Sequence, residues 1–212
     1  MLKIKKFLFN PFSENTFLIS DELNNVIIID PGCYYPQEEE EIDAFIKSND
    51  LKPIAILHTH SHLDHMFGTA YLASKYNIDI YIHQDDEITY SSFSRVCDMY
   101  GIPIKSQEVF PVKHFNLQDG YSLGDHHFII KHVPGHAPGH VVFYNKENKF
   151  VINGDCLFQG SIGRTDLPGG NHEDLIKSIK SELFTLPEDT VVYCGHGPET
   201  TIGVEKQTNP FF

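Results

Sequence analysis

Residues 54–65 read Ile-Ala-Ile-Leu-His-Thr-His-Ser-His-Leu-Asp-His. Four apolar residues closed off by polar ones have the length and character of a short buried strand. The donors come at once afterwards: His60, His62, Asp64 and His65 within six residues. Side chains alternate along extended backbone, so His60 and His62 point to the same side and can share one metal ion. Asp64 and His65, where the chain turns toward a helix beginning near Phe67, can aim at a second ion beside the first. Neutral imidazoles and carboxylates suit zinc, and also iron or manganese.

The same grammar recurs along the chain. Apolar runs end abruptly in donor residues at Pro134-Gly135-His136-Ala137-Pro138-Gly139-His140, at Gly154-Asp155 after Phe150–Asn153, and at Gly195-His196-Gly197 after Val191–Cys194. Side chains leaving the same ends of neighbouring strands converge, and loops on such a rigid edge are where sites are built. His136 can complete three histidines around one ion. His196 can join Asp64 and His65 on the other, and Asp155 is placed to bridge both. Three protein ligands per ion plus a shared carboxylate leave room for solvent, unlike a closed four-ligand structural site.

Other strands are expected at 2–9, 16–20, 26–30, 54–58, 79–82, 127–132, 140–144, 150–153 and 190–194, and helices at 36–49, 67–76, 85–99 and 172–186. Many strands with interspersed helices predict an α+β protein whose sheets are covered by helices. The 212 residues suffice for one domain with a full core, and the formal charge of −13 repels phosphate backbones and anionic lipid. No nucleic-acid or membrane partner is therefore expected. The basic, then apolar N-terminal residues are too few for a secretory signal, the apolar runs of four are far short of the roughly twenty needed to span a bilayer, and the four dispersed cysteines read as free thiols. A cytoplasmic enzyme is the expectation; the oligomeric state is not legible.

In this order, the four donor segments resemble the metallo-β-lactamase superfamily, a four-layer αββα sandwich with metals at one edge of the sheets. The continuation Gly160-Ser161-Ile162-Gly163-Arg164-Thr165-Asp166-Leu167-Pro168-Gly169-Gly170 and the tail 201–212 are similar to the small glyoxalase II-like hydrolases. The resemblance covers roughly residues 15–212. It implies His60, His62, Asp64, His65, His136, Asp155 and His196 as ligands of two divalent ions, zinc first among them. It also implies hydrolysis of a small-molecule thioester such as S-lactoylglutathione by a metal-bridging hydroxide that Asp64 orients. Full glyoxalase II enzymes carry a C-terminal helical domain with glutathione contacts; only sixteen residues follow His196. Residues 1–212 are thus expected to form a single domain without it.

A mononuclear iron persulfide dioxygenase shares much of the pattern and is the enzymatic alternative; a metal-binding sensor or scaffold is the non-enzymatic one. Arg164 and Tyr34 are candidates for substrate contact, although Arg164 could equally pair with Asp166. His58 and His140 are expected to orient ligands, and Asp30 to brace the metal loops from below. Cys156 should face away from the metals. His83, His114, His126, His127, His132 and His172 are expected to be surface, strand or cap residues.

Overall fold

The computed structural model describes residues 1–104 and 110–212. Strands β1 (Lys3–Phe9), β2 (Glu14–Ser20), β3 (Asn25–Ile29), β4 (Lys52–Leu57), β5 (Asp79–Ile82) and β6 (Val112–His114) form one sheet in that order. The first three pair antiparallel, and β3 to β6 pair parallel. Strands β7 (Tyr121–Leu123), β8 (His126–His132), β9 (Val141–Asn145) and β10 (Phe150–Gly154) begin the second sheet. After a small hairpin of β11 (Leu157–Phe158) and β12 (Ser161–Ile162), β13 (Val191–Cys194) and β14 (Thr200–Thr201) complete it in the order β14-β13-β10-β9-β8-β7.

Alternation along the central strands explains the layering. In β3, Ile27 and Ile29 enter the core between the sheets, while Val26 and Ile28 face outward. There they meet Ile42 and Ile46 of helix α1 (Pro36–Ser48) and Leu72 of a later helix, all fully or nearly fully buried. In the second sheet Val141, Phe143 and Ile152 face the first. Val142, Tyr144 and Val151 instead pack on Leu175 and Ile179. Strands buried on both faces must be apolar at every position, which is why residues 26–29 of β3 and 55–57 of β4 read as unbroken apolar runs. The result is the four-layer αββα sandwich of the α+β class.

The remaining helices depart from the expected spans at identifiable points. Two short helices, α2 (Leu63–Met66) and α3 (Thr69–Tyr76), replace the helix expected from Phe67, since Gly68 passes against Cys33 and Pro31. The expected 85–99 helix becomes a 3-10 turn, α4 (Glu87–Ser91) and α5 (Phe93–Tyr100), parted at Ser92. Helix α6 (His172–Ser178) runs into a π turn, where the Phe184 N–H reaches the Ile179 carbonyl at 2.9 Å. A final helix, α7 (Ile202–Thr208), is capped by the Thr201 hydroxyl and follows β14.

The C-terminal ends of β3, β4, β10 and β13 and the β8–β9 connection open onto one edge of the sandwich. The start of β2 reaches the same edge, where Glu14 bridges to His196 and the Asn15 N–H donates to the Gly195 carbonyl at 2.7 Å. All four cysteines are buried free thiols. Among the described residues no helix is long and apolar enough to cross a membrane.

Candidate metal centre

Two groups of donors meet at this edge. His60, His62 and His136 each bring a ring nitrogen within 4.8 Å of the others, as do donor atoms of Asp64, His65 and His196. In the first group His136 Nε2 lies 2.9 Å from His62 Nδ1 and 3.2 Å from His60 Nε2. Ligand nitrogens on a tetrahedral zinc ion, with bonds of about 2.0–2.1 Å, sit about 3.3 Å apart.

Hydrogen bonds behind the rings fix where the lone pairs point. His136 Nδ1 donates to the Arg164 carbonyl at 2.8 Å. The Thr59 hydroxyl donates to Asp30 Oδ2 and so accepts from His60 Nδ1, 3.1 Å away. Neutral His60 and His136 therefore turn two bare Nε2 lone pairs toward each other, an arrangement that favours a cation between them. Burial holds His60, His62 and His136 below the ordinary imidazole range, His62 down to about 3, with neighbouring imidazoles adding to the shift in His60 and His62. They are in the uncharged form that binds metal.

The second group is built likewise. His196 Nδ1 faces the carbonyls of Phe12 and Ser13 at 3.1 and 3.2 Å, and His65 Nδ1 donates to Asp30 Oδ2 at 3.2 Å. Their Nε2 atoms point at carboxylates: His196 Nε2 is 3.1 Å from Asp64 Oδ2, and His65 Nε2 is 3.8 Å from the same oxygen. Burial opposes charge on both rings, but Asp155 and Asp64 outweigh it, raising His65 well above its usual value and His196 to about 10. The carboxylates thus favour positive charge at these two Nε2 atoms, the place that a cation would take.

Asp155 joins the groups. Its Oδ2 is 3.4 Å from His196 Nε2 and 3.7 Å from His136 Nε2, while Oδ1 is 3.6 Å from His65 Nε2. Buried Oδ1 and His65 Nε2 make no hydrogen bond among the described residues. Unsatisfied buried polar atoms are costly, and these two converge from opposite sides on one place. The donor set thus fits two adjacent divalent cations, and all seven residues singled out from the sequence come together here.

Asp30, His58 and His140, expected to support the donors, lie behind them. Asp30 holds an αL backbone (φ 50°) beneath the donors. It takes the Thr59 N–H at 2.7 Å, the Thr59 hydroxyl and His65 Nδ1, and lies 3.5 Å from His58 Nδ1. His140 Nε2 accepts the Asp155 N–H at 3.0 Å, setting the backbone of the shared carboxylate. Gly163 and Gly195 are tight passages: a Cβ on Gly163 would sit 1.8 Å from the Asp155 carbonyl, and one on Gly195 2.1 Å from Asp155 Oδ1. Glu14 escaped the sequence reading. It is fully buried, 3.9 Å from His65 Nδ1, and burial raises its pKa well above the ordinary range. The polar run Glu14-Asn15-Thr16 opening a buried strand was its only signal.

Tyr34 lies beside the centre rather than in it. Its ring packs 4.7 Å from Phe67, its hydroxyl donates to the Pro103 carbonyl at 2.8 Å, and it lines a groove of about 580 Å3 with Met66, Phe67 and Phe93. Arg164 is held by Asp166 through two hydrogen bonds of 2.7 and 2.8 Å, and both side chains are exposed. Cys156 points into the core beneath α6, bonded to Asn153.

A helix-covered double sheet with two linked donor groups at its edge defines a metal-dependent hydrolase. The chain belongs to the metallo-β-lactamase superfamily, whose sequence model matches residues 9–196. It is 39% identical to the hydroxyacylglutathione hydrolase GloC of Haemophilus influenzae, over 94% of this chain and 93% of that one. Among solved structures it resembles TTHA1623 in a di-iron-bound form, with TM-score 0.88 and 36% identity over 98% and 100% of the two chains. It is also similar to the BLEG-1 B3 metallo-β-lactamase, with TM-score 0.88 and 34% identity over 99% of each chain.

Proposed function

We propose that the protein is a glyoxalase II-like thioester hydrolase, cleaving S-lactoylglutathione or a related small acyl thioester in the cytoplasm. His60, His62 and His136 would hold one divalent ion, Asp64, His65 and His196 a second, with Asp155 shared; zinc is the ion proposed. The observation that carries this is Asp155, whose two oxygens face both donor groups. The GloC relative supports the thioester, and the di-iron relative supports a two-metal centre.

Two adjacent divalent ions supply water acidified toward neutral pH and a Lewis acid for a carbonyl oxygen. Asp64 would orient the attacking oxygen. Burial alone would raise its pKa, but the His65 charge and the His196 hydrogen bond hold it below the ordinary carboxylate range, so it is ionised, as a ligand and hydrogen-bond acceptor must be. Its backbone is fixed, because its carbonyl accepts from Asn10 Nδ2 at 2.9 Å. The groove containing Tyr34 and Phe67 is also lined by Met66, the residue after His65, and offers an apolar wall to the acyl or thiol portion of the substrate. Arg164 contributes through its carbonyl on His136, and its guanidinium can meet a substrate carboxylate by exchanging Asp166. Residues 1–212 act here as one catalytic domain.

The test is thiol release from S-lactoylglutathione by zinc-loaded protein beside the Asp64→Ala variant, with a chromogenic β-lactam as second substrate. Thiol release that falls at least 100-fold in a folded, metal-replete Asp64→Ala supports the proposal. Turnover of the β-lactam alone, or thiol release unaffected by Asp64→Ala, refutes it.

A further inference from the structure

Two histidines meet away from the centre just described. His83 follows β5 in the first sheet, and its Nδ1 accepts the Asp85 N–H at 3.2 Å, capping a 3-10 turn. His132 ends β8 in the second sheet. Their rings stack with centroids 4.2 Å apart and planes 17° from parallel. His132 Nε2 donates to the Pro138 carbonyl at 2.8 Å, which leaves Nδ1 as its lone-pair nitrogen when neutral. Asp85 Oδ2 stands 3.7 Å from His83 Nδ1, and one donor atom each of His83, Asp85 and His132 lies within 4.8 Å of the others.

We infer that His83, Asp85 and His132 form a separate divalent-metal site that clips the two sheets together. Two imidazoles and a carboxylate select a zinc- or nickel-like ion over magnesium or calcium, which prefer all-oxygen shells. His83 is 6% exposed and the Asp85 side chain 52%, so the seat is sheltered while one ligand faces solvent and can guide an ion in. Burial and the adjacent His132 imidazole lower the His83 pKa, keeping the ring neutral and ready to ligate. Lone pairs lie in the ring planes, so entry of the ion turns one ring out of the near-parallel stack and exchanges the 3.2 Å Asp85 N–H contact on His83 Nδ1 for a metal bond. The donors come from two sheets and meet only when these are stacked, so the ion binds the folded chain and stabilises it by mass action. None of the three belongs to the donor groups at the sheet edge, so this inference stands apart from the proposed activity.

The experiment is equilibrium dialysis of the whole chain against zinc, with metal counted by mass spectrometry, in wild type, His132→Gln, Asp85→Asn and His62→Ala. One zinc equivalent fewer in His132→Gln and in Asp85→Asn is expected. The same difference should persist when each change is combined with His62→Ala, so the count does not depend on how many ions the main centre holds. At saturating zinc the wild type should melt above His132→Gln, and chelation should abolish that gap. Equal zinc counts in wild type and the folded Asp85→Asn and His132→Gln variants overturn the inference, as does a count that falls only with His62→Ala.

Discussion

Asp30→Asn tests the reasoning about the centre most directly, because it changes one atom of a buried acceptor without changing shape. Asp30 Oδ1 takes the Thr59 N–H at 2.7 Å; Oδ2 faces the Thr59 hydroxyl and His65 Nδ1 at 3.2 Å. An asparagine amide presents one acceptor and one donor. With its NH2 toward Thr59 N–H, two donors oppose each other in a buried site. With its NH2 toward His65, a neutral, metal-ligating imidazole would have to carry its proton on Nε2, the atom that faces Asp64 and Asp155. Asparagine tolerates the αL backbone at φ 50°, so no strain is added. A single unsatisfied buried donor costs about 1–3 kcal/mol, which lowers the unfolding midpoint without preventing folding. Altering a group that orients a ligand costs about 10–100-fold in metal affinity. The expected outcome is a folded variant that loses metal at limiting free zinc, and loses activity in proportion. The assay is metal content against free zinc, alongside urea unfolding of the apo protein. Asp30→Asn with wild-type zinc affinity and wild-type activity would refute the tautomer argument, and with it the role assigned to Asp30.

Gly195→Ala places a Cβ 2.1 Å from Asp155 Oδ1 and 2.9 Å from His65 Cε1, so bound metal and turnover should fall at least tenfold in a variant with native circular dichroism. Phe143→Ala empties a fully buried position between the sheets, and urea unfolding should show a loss of about 3–5 kcal/mol with metal stoichiometry unchanged. Chelation should lower the melting temperature and abolish turnover, and added zinc should restore both, because seven donors then lose the cation that reconciles their charges. Arg164→Ala removes a guanidinium already held by Asp166 but keeps the carbonyl that orients His136; zinc content should stay at wild type, while KM for an anionic thioester rises a fewfold at most.

Strand ends were legible because an apolar run must stop where donors begin, and the strands expected at 2–9, 79–82 and 190–194 lie within a residue of Lys3–Phe9, Asp79–Ile82 and Val191–Cys194. Strands β6, β7 and β14 and the β11–β12 hairpin have two or three residues each, too few to show a period of two. Helix α2, four residues long, likewise has no helical periodicity to read. Its importance lies in carrying Asp64 and His65, two of the second donor group.

The sequence by itself determined the donor chemistry: which residues can meet a cation, in what order, and at the ends of which apolar runs. Those facts are local, carried by residue type and spacing. Asp30 and His140 were legible as supports, but only the tertiary structure decided which atoms they hold and that Glu14 sits beside His65, since each of these contacts joins residues far apart in the chain. The pairing of His83 with His132 is of the same kind: one follows a strand of the first sheet, the other ends a strand of the second, and only the stacking of the two sheets brings their rings together.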